Sequence, residues 1–104
     1  MYEGTLVLID PYNGNTWTNS EIYIRRLPID EALSKLDRHL NYAFMVGIHS
    51  VRVVHGKGTG MLRSAVHDAL ERNTLVKNYR NGYIGEGDAG VTIIEMHSPW
   101  QTGD

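Results

Sequence analysis

Residues 51–60, VRVVHGKGTG, constrain the fold of this chain more than any other stretch. Val51, Arg52, Val53 and Val54 read as a strand; His55 follows, and then glycine at alternate positions, Gly56, Gly58 and Gly60. The next segment, MLRSAVHDAL, sets Leu62, Ala65, Val66, Ala69 and Leu70 on one face of a helix. A strand that passes through a glycine turn into a helix with a single apolar stripe needs a second layer on which to bury that stripe, which makes a layered α/β domain the expected class. The turn also carries chemistry. Glycines let a backbone approach a ligand closely, and the first N–H groups of the new helix point at whatever sits in front of them, a geometry suited to an anion. His55 at the mouth of the turn is placed to contact phosphate, to move a proton, or simply to be a hydrogen-bonded strut. Lys57 and Arg63 are natural phosphate contacts, or else solvated surface cations. The spacing is not that of a dinucleotide fingerprint, whose third glycine falls here on Met61, and the Gly-Lys-Ser/Thr ending of a P-loop is absent.

The rest of the chain reads around this unit. TLVLI, 5–9, is a short strand, and DPYNGNTWTNS is a loop of turn formers that includes Trp17. EIYIR, 21–25, alternates as a second strand. Pro28 suits a helix start. Ile29, Leu33, Leu36, Leu40, Ala43 and Phe44 then recur at helical spacing until Gly47 ends the run. LVKNYR, 75–80, and GVTIIEM, 90–96, are the last two strands, joined by the glycine-rich loop NGYIGEGDAG, and the tail HSPWQTGD reads as loose. The order predicts a two-layer sandwich, βαβαββ, with a four-stranded mixed sheet, two helices on one face and an extra N-terminal strand. The first two strands of the core are expected parallel through a right-handed crossover, and the last two antiparallel.

Composition matters for what it excludes. The 104 residues contain no cysteine, which removes disulfides and thiolate metal sites. No apolar run approaches a membrane span and no signal-peptide pattern opens the chain, so a cytoplasmic protein without a membrane partner is the simplest expectation. The formal net charge of −2 means that any binding of nucleic acid rests on a local basic patch, for which Arg25, Arg26, Arg38, Arg52, Lys57 and Arg63 are available. His39, His49, His67 and His97 show no metal-ligand spacing, and most of them read as surface residues. Asp37, Asp68 and Glu71 read as solvated helix positions, and Glu86 and Asp88 lie in the glycine-rich loop. Tyr79, Tyr83 and Trp100 are candidates for stacking on bases, although Tyr79, alternating within a strand, is better explained by packing.

Taken together, VRVVHGKGTGMLRSAVHDAL, LVKNYR, the acidic glycine loop and GVTIIEM resemble a small MutS-related (Smr) domain. The resemblance extends back through PIDEALSKLDRHLNYAFMVG and is most like the domains that end bacterial MutS2 proteins. It divides the chain into an arm or extra strand at 1–20, the Smr domain at 21–96 and a tail at 97–104. It implies the two-layer fold of the carboxyl-terminal domain of translation initiation factor three. It also implies binding of DNA or RNA of branched or structured shape, often with nicking or cleavage helped by Mg2+ or Mn2+. Through MutS2 proteins it further implies recombination control or ribosome rescue, with the ribosome as a partner. On that basis the nucleic-acid-binding residues are Arg25, Arg26, His55, Gly56, Lys57, Gly58, Thr59, Gly60 and Arg63, with His55 and Arg25 as the catalytic pair if cleavage survives and no residue assigned to a metal.

One family motif is broken. Where the family has Leu-Asp-Leu-His/Arg-Gly on the first strand, this chain has Ile22, Tyr23, Ile24, Arg25 and Arg26. An aspartate can orient a base, bind a metal or activate water; Tyr23, neutral near pH 7, cannot do so in the same way. Three readings follow: a binding module with weakened or lost nuclease activity; an active endonuclease that uses His55 and Arg25, with Glu86 or Asp88 standing in for the aspartate; and a domain that docks on a ribosome or protein partner.

Overall fold

The computed structural model describes residues 5–7 and 19–98. The expectations for Ile9, Trp17, Trp100 and most of the tail lie outside the described residues. Five strands form one sheet in the order β1-β2-β3-β5-β4, from Thr5–Val7 (β1), Asn19–Tyr23 (β2), Ser50–Val54 (β3), Val76–Asn81 (β4) and Val91–Met96 (β5). The helices are Ile29–Val46 (α1) and Met61–Glu71 (α2). β2 and β3 pair in parallel, β3 with β5 and β5 with β4 antiparallel, as the pattern requires, and β1 adds an antiparallel edge to β2.

The register sorts the side chains. Ser20, Val51, Ile94 and Tyr79 align across the sheet, and both helices pack on that side: Ser20 bonds to His39 of α1, and Tyr79 to Glu71 of α2. Ile22, Val53 and Thr92 form the next row of the same face. Leu36 and Leu40 of α1 and Val66 and Leu70 of α2 complete a single core with these strands. On the opposite face Glu21, Arg52, Ile93 and Arg80 align. Arg52 pairs there with Glu21 and donates to the Glu86 carbonyl at 3.0 and 3.1 Å. Arg52 is therefore no part of a basic patch on the glycine turn. Arg38 is not either; it is exposed on α1, where it donates to Ser34.

Helix α1 begins and ends as its sequence dictates. Pro28 precedes the first turn, Asp30 and Glu31 lie at its positive end, and Gly47 closes it in the left-handed region at φ 82°. Strand β2 departs from expectation by starting and ending two residues earlier than 21–25. Ile24 still donates to the Val54 carbonyl at 2.9 Å, but the chain then reverses at Arg25–Arg26.

Two histidines read as surface residues are not. His39 lies on the apolar face of α1, 2% exposed, 2.7 Å from the Ser20 hydroxyl. Burial, with help from the Lys35 charge, lowers its pKa from 6.5 to about 4. The unfolded chain therefore binds a proton at this position between pH 6.5 and 4 that the folded chain does not. Stability is intact above pH 6.5 and is lost as pH falls toward 4, by up to about 3 kcal/mol from this residue at ~1.4 kcal/mol per unit. The His39 ring resonances should stay those of neutral imidazole down to about pH 4; titration near 6.5 would contradict the burial argument. His67, the second, belongs to the site below.

Candidate functional site

The site lies at the carboxyl ends of the parallel pair β2 and β3, where each strand leaves the sheet through a turn. After β2, Ile24–Leu27 forms a tight turn with Arg26 in the left-handed region at φ 66°. After β3, Gly56, Gly58 and Gly60 take positive φ values of 81°, 39° and 86°, alternating with residues that do not. Alternation of this kind aims successive N–H groups toward one side. Among the described residues, Lys57, Gly58, Thr59, Leu62 and Arg63 use no backbone N–H on a backbone acceptor. The Thr59 hydroxyl accepts from Met61 at 3.3 Å, so the amino terminus of α2 is only lightly capped.

Cations converge on these donors. A Cβ placed on Gly56 would sit 3.6 Å from Arg25 Nε, and one on Gly60 would sit 3.5 Å from Arg63 Nη2. Arg25 thus lies over the first glycine and Arg63 over the third. Between the two turns opens a cleft of about 390 Å³, lined by Arg25, Arg26, His55, Lys57 and the glycine turn, with Leu27, Ile29 and Met61 giving it an apolar side. Of the cations expected here, Arg25, Arg26 and Lys57 line the cleft and Arg63 stands at its edge.

The loop between β4 and β5 closes the back of the site. The Gly90 carbonyl accepts from both His55 N (3.1 Å) and Gly56 N (2.9 Å). Asp88 stands 3.6 Å from Lys57 Nζ, so the lysine is partly neutralised at the surface. Glu86 turns the other way: Arg80 grips it at 2.8 and 3.1 Å, the Tyr83 N–H donates to it, and these bonds hold its pKa near 2. Its carboxylate is committed to Arg80 and the Tyr83 N–H on the face of the sheet away from the helices. Among the described residues no three histidine or acidic side chains gather as a metal site. With Asp88 beside Lys57, the residues at the turn do not fit an ion held by the protein.

His55 is buried, 4% exposed, with both ring nitrogens engaged: Nδ1 lies 2.9 Å from the Gly56 carbonyl and Nε2 2.8 Å from Thr92 Oγ1. Burial lowers its pKa, which the Gly56 contact opposes and the Arg63 charge reinforces. Two residues that no spacing rule reaches complete its surroundings. Thr92, fully buried on β5, also meets His67 Nε2 at 2.8 Å, and the His67 ring packs edge-on against Tyr79 at 5.1 Å between centroids. One signal for Thr92 was in the sequence. It alternates with Ile94 and Met96, and a hydroxyl on an apolar strand face needs a buried partner. Tyr79 donates to Glu71 at 2.6 Å and serves packing rather than stacking on a ligand.

The broken motif has a structural answer at Arg26. Arg26, at the position where the motif has glycine, takes the left-handed conformation, in which its side chain is strained by about 1–2 kcal/mol. Arg26→Gly should therefore raise stability by about 0.5–1 kcal/mol, after allowing for the greater freedom of glycine in the unfolded chain, while removing a cation from the cleft. A denaturant titration showing lower stability would mean that the Arg26 side chain contributes more by contact than its backbone loses by strain. At the preceding aspartate position, Tyr23 is 52% exposed on the face away from the helices, and its carbonyl accepts from Lys35 at 3.0 Å.

Known proteins share the sequence and the fold. The sequence model of the Smr domain matches residues 22–97. Endonuclease MutS2 of Clostridium acetobutylicum is 49% identical over 75 residues, which is 72% of this chain but 10% of that protein. Endonuclease MutS2 of Agathobacter rectalis is 52% identical over 75 residues, with the same coverage. The chain thus spans about a tenth of the length of these relatives. The crystal structure of the Smr domain of Thermus thermophilus MutS2 superposes with a TM-score of 0.73 at 39% identity, covering 74% of this chain and 96% of that domain. The stand-alone small MutS-related protein YdaL of Escherichia coli shares the fold, with a TM-score of 0.71 at 21% identity over 75% of this chain and 64% of its own. Matched by the family model over most of its length, and similar in sequence and fold to MutS2 Smr domains, the chain belongs to the Smr domain family.

Proposed function

We propose that the cleft binds the phosphate backbone of DNA or RNA, in a branched or otherwise structured substrate, and that phosphodiester cleavage is weakened or lost. The observation that carries this reading is the placing of Arg25 and Arg63 over Gly56 and Gly60, so that guanidinium groups and unused backbone N–H groups face the same space. Both kinds of donor suit a phosphate oxygen, and neither reads a base. Arg25, Arg26, Lys57 and Arg63 hold successive phosphates; Gly56–Gly60 and Thr59 hold one closely; and His55 keeps the turn in shape. Weakened cleavage rests on Tyr23. Tyr23 supplies no carboxylate at the aspartate position, and both nitrogens of His55 are engaged by the protein's own acceptor and hydroxyl. In a longer MutS2-like protein such a module serves recombination control or ribosome rescue in the cytoplasm, delivering the chain to a folded nucleic acid.

The test is incubation of supercoiled plasmid and of a structured RNA with Mg2+ or Mn2+, beside a Tyr23→Asp variant, with binding to a labelled DNA four-way junction and an RNA hairpin measured in parallel. The expected result is salt-sensitive binding by the natural chain, little or no cleavage by it, and cleavage gained by the variant. Cleavage by the natural chain that disappears in His55→Ala would instead favour the endonuclease reading, with His55 as the proton-transferring group and Arg25 steadying the developing charge.

A further inference from the structure

His55, Thr92 and His67 form a hydrogen-bond chain that has one consistent direction while His55 is neutral. A carbonyl can only accept, so the 2.9 Å contact with the Gly56 oxygen places the proton of neutral His55 on Nδ1. His55 Nε2 is then an acceptor, and the Thr92 hydroxyl, 2.8 Å away, must donate to it. Having given its one proton to His55, Thr92 Oγ1 can only accept from His67, which fixes the proton of His67 on Nε2. The two histidines thus hold opposite tautomers, joined by one hydroxyl that is fully buried.

The surroundings favour neutral rings. Arg63 of α2 acts on both histidines, and His55 and Asp68 act on His67, the latter in the opposite sense. The backbone N–H groups of His55 and Gly56 are tied to Gly90 in the loop that carries Asp88. A second proton on His55 would make Nε2 a donor to Thr92, whose hydroxyl would then have to donate to His67 Nε2, so that the chain runs in the opposite direction and His67 changes tautomer.

We infer that Thr92 is a positioning residue for the glycine turn: fed by His67, it holds His55 in the Nδ1–H tautomer, which binds the ring to the Gly56 carbonyl and keeps Gly56–Gly60 in its anion-receiving shape. This rests on the phosphate-binding reading of the cleft. It assigns to β5 and α2 a role that neither the glycine turn nor the first-strand motif contains. His67 orients Thr92 and touches no ligand, and Thr92 acts only through His55.

The experiment is a long-range 1H–15N correlation of the imidazole rings in the full 104-residue chain at pH 7.5, for the natural protein and for Thr92→Val and Thr92→Ser, with the affinity of each for the DNA junction. In the natural protein His55 should show a protonated Nδ1 and a bare Nε2, and His67 the reverse. Thr92→Val should release His55 into the other tautomer or a mixture, shift the Gly56–Gly60 amide resonances and weaken junction binding about tenfold, the loss expected of one hydrogen bond of ~1.4 kcal/mol. Thr92→Ser should restore all three. A protonated Nε2 on His55 in the natural protein would overturn the inference, and that reading needs no variant to fold. So would a Thr92→Val protein with an unchanged His55 tautomer. If the tautomers and amide shifts follow the expected pattern while no form of the chain binds DNA or RNA, the role of Thr92 stands and the nucleic-acid reading falls.

Discussion

Replacing Arg25 and Lys57 together by glutamate is expected to lower affinity for a DNA junction or RNA hairpin at least a hundredfold at moderate salt. Both side chains line the cleft and both are exposed, so the change falls on binding rather than on folding. A charge-assisted hydrogen bond contributes about 1.5–3 kcal/mol, and two lost together give ~3–6 kcal/mol before repulsion by the new carboxylates is counted. The salt dependence should change as well. Each phosphate contact contributes about 0.9 to the slope of log affinity against log salt on duplex DNA, so the double variant should bind with a slope shallower by about two. The matched control is Arg38→Glu with Arg72→Glu, which makes the same change in net charge elsewhere on the helices. Arg72 follows the carboxyl end of α2 and Gly60 precedes its amino end, so 11 helical residues separate them. At ~1.5 Å per residue this exceeds the screening length of about 8 Å at physiological salt. The control should bind nearly as the natural chain does. Equal losses in the two double variants would mean that affinity follows net charge, and the cleft would lose its claim as the binding surface.

Gly87→Ala is expected to have the largest effect on stability. Gly87 sits at φ 114°, where a side chain is strained, and a Cβ there would overlap Val91 Cγ2, lie 2.9 Å from Val91 Cβ and crowd Arg52 Nη2 at 3.2 Å. Val91 is buried, 2% exposed, and cannot move aside without disturbing the row it shares with Val54. Backbone strain of about 1–2 kcal/mol and overpacking of about 1–3 kcal/mol together suggest ~3 kcal/mol, or a fall in Tm of roughly 12–24 °C for a domain of this size. Gly85→Ala separates the two causes. Its φ is 95°, but nothing lies within 4 Å of the added carbon, so it should cost only the strain, about 1 kcal/mol. If both variants melted at the same temperature, contact with Val91 would contribute nothing. The comparison also bears on the site, because this loop ends at Gly90, whose carbonyl holds the N–H groups of His55 and Gly56. A loosened loop should therefore weaken nucleic-acid binding although it presents no cation of its own to the cleft.

Most of the fold was legible residue by residue. Alternation in Val51–Val54, the apolar stripes of both helices, Pro28 and Gly47 at the ends of α1, and the strand–turn–helix connection are local signals, and local sterics enforce them wherever the chain goes. Even the parallel pairing of β2 with β3 followed from their separation by a helix. The glycine turn could be recognised for the same reason, since positive φ at alternate positions is a property of the residue type. What could not be read was partnership. His39 and His67 looked like surface residues because helical periodicity says which face a histidine lies on only after the neighbouring face is known, and a lone imidazole weakens an apolar stripe without breaking it. Glu86 and Asp88, two residues apart in one loop, were equivalent as sequence; the fold sends one to Arg80 on the far side of the sheet and the other to Lys57 at the cleft.

The sequence by itself determined the elements, their order and the glycine turn, because each depends on sterics and periodicity within a few residues. Only the tertiary structure decided which cations share a cleft, which carboxylate is removed from it, and that Thr92 stands between two histidines 12 positions apart. Those facts depend on sheet register, which brings Thr92 opposite Val53 and beside the end of β3. Hydrogen bonds and ion pairs act over a few ångströms in space, and no spacing along the chain encodes that distance.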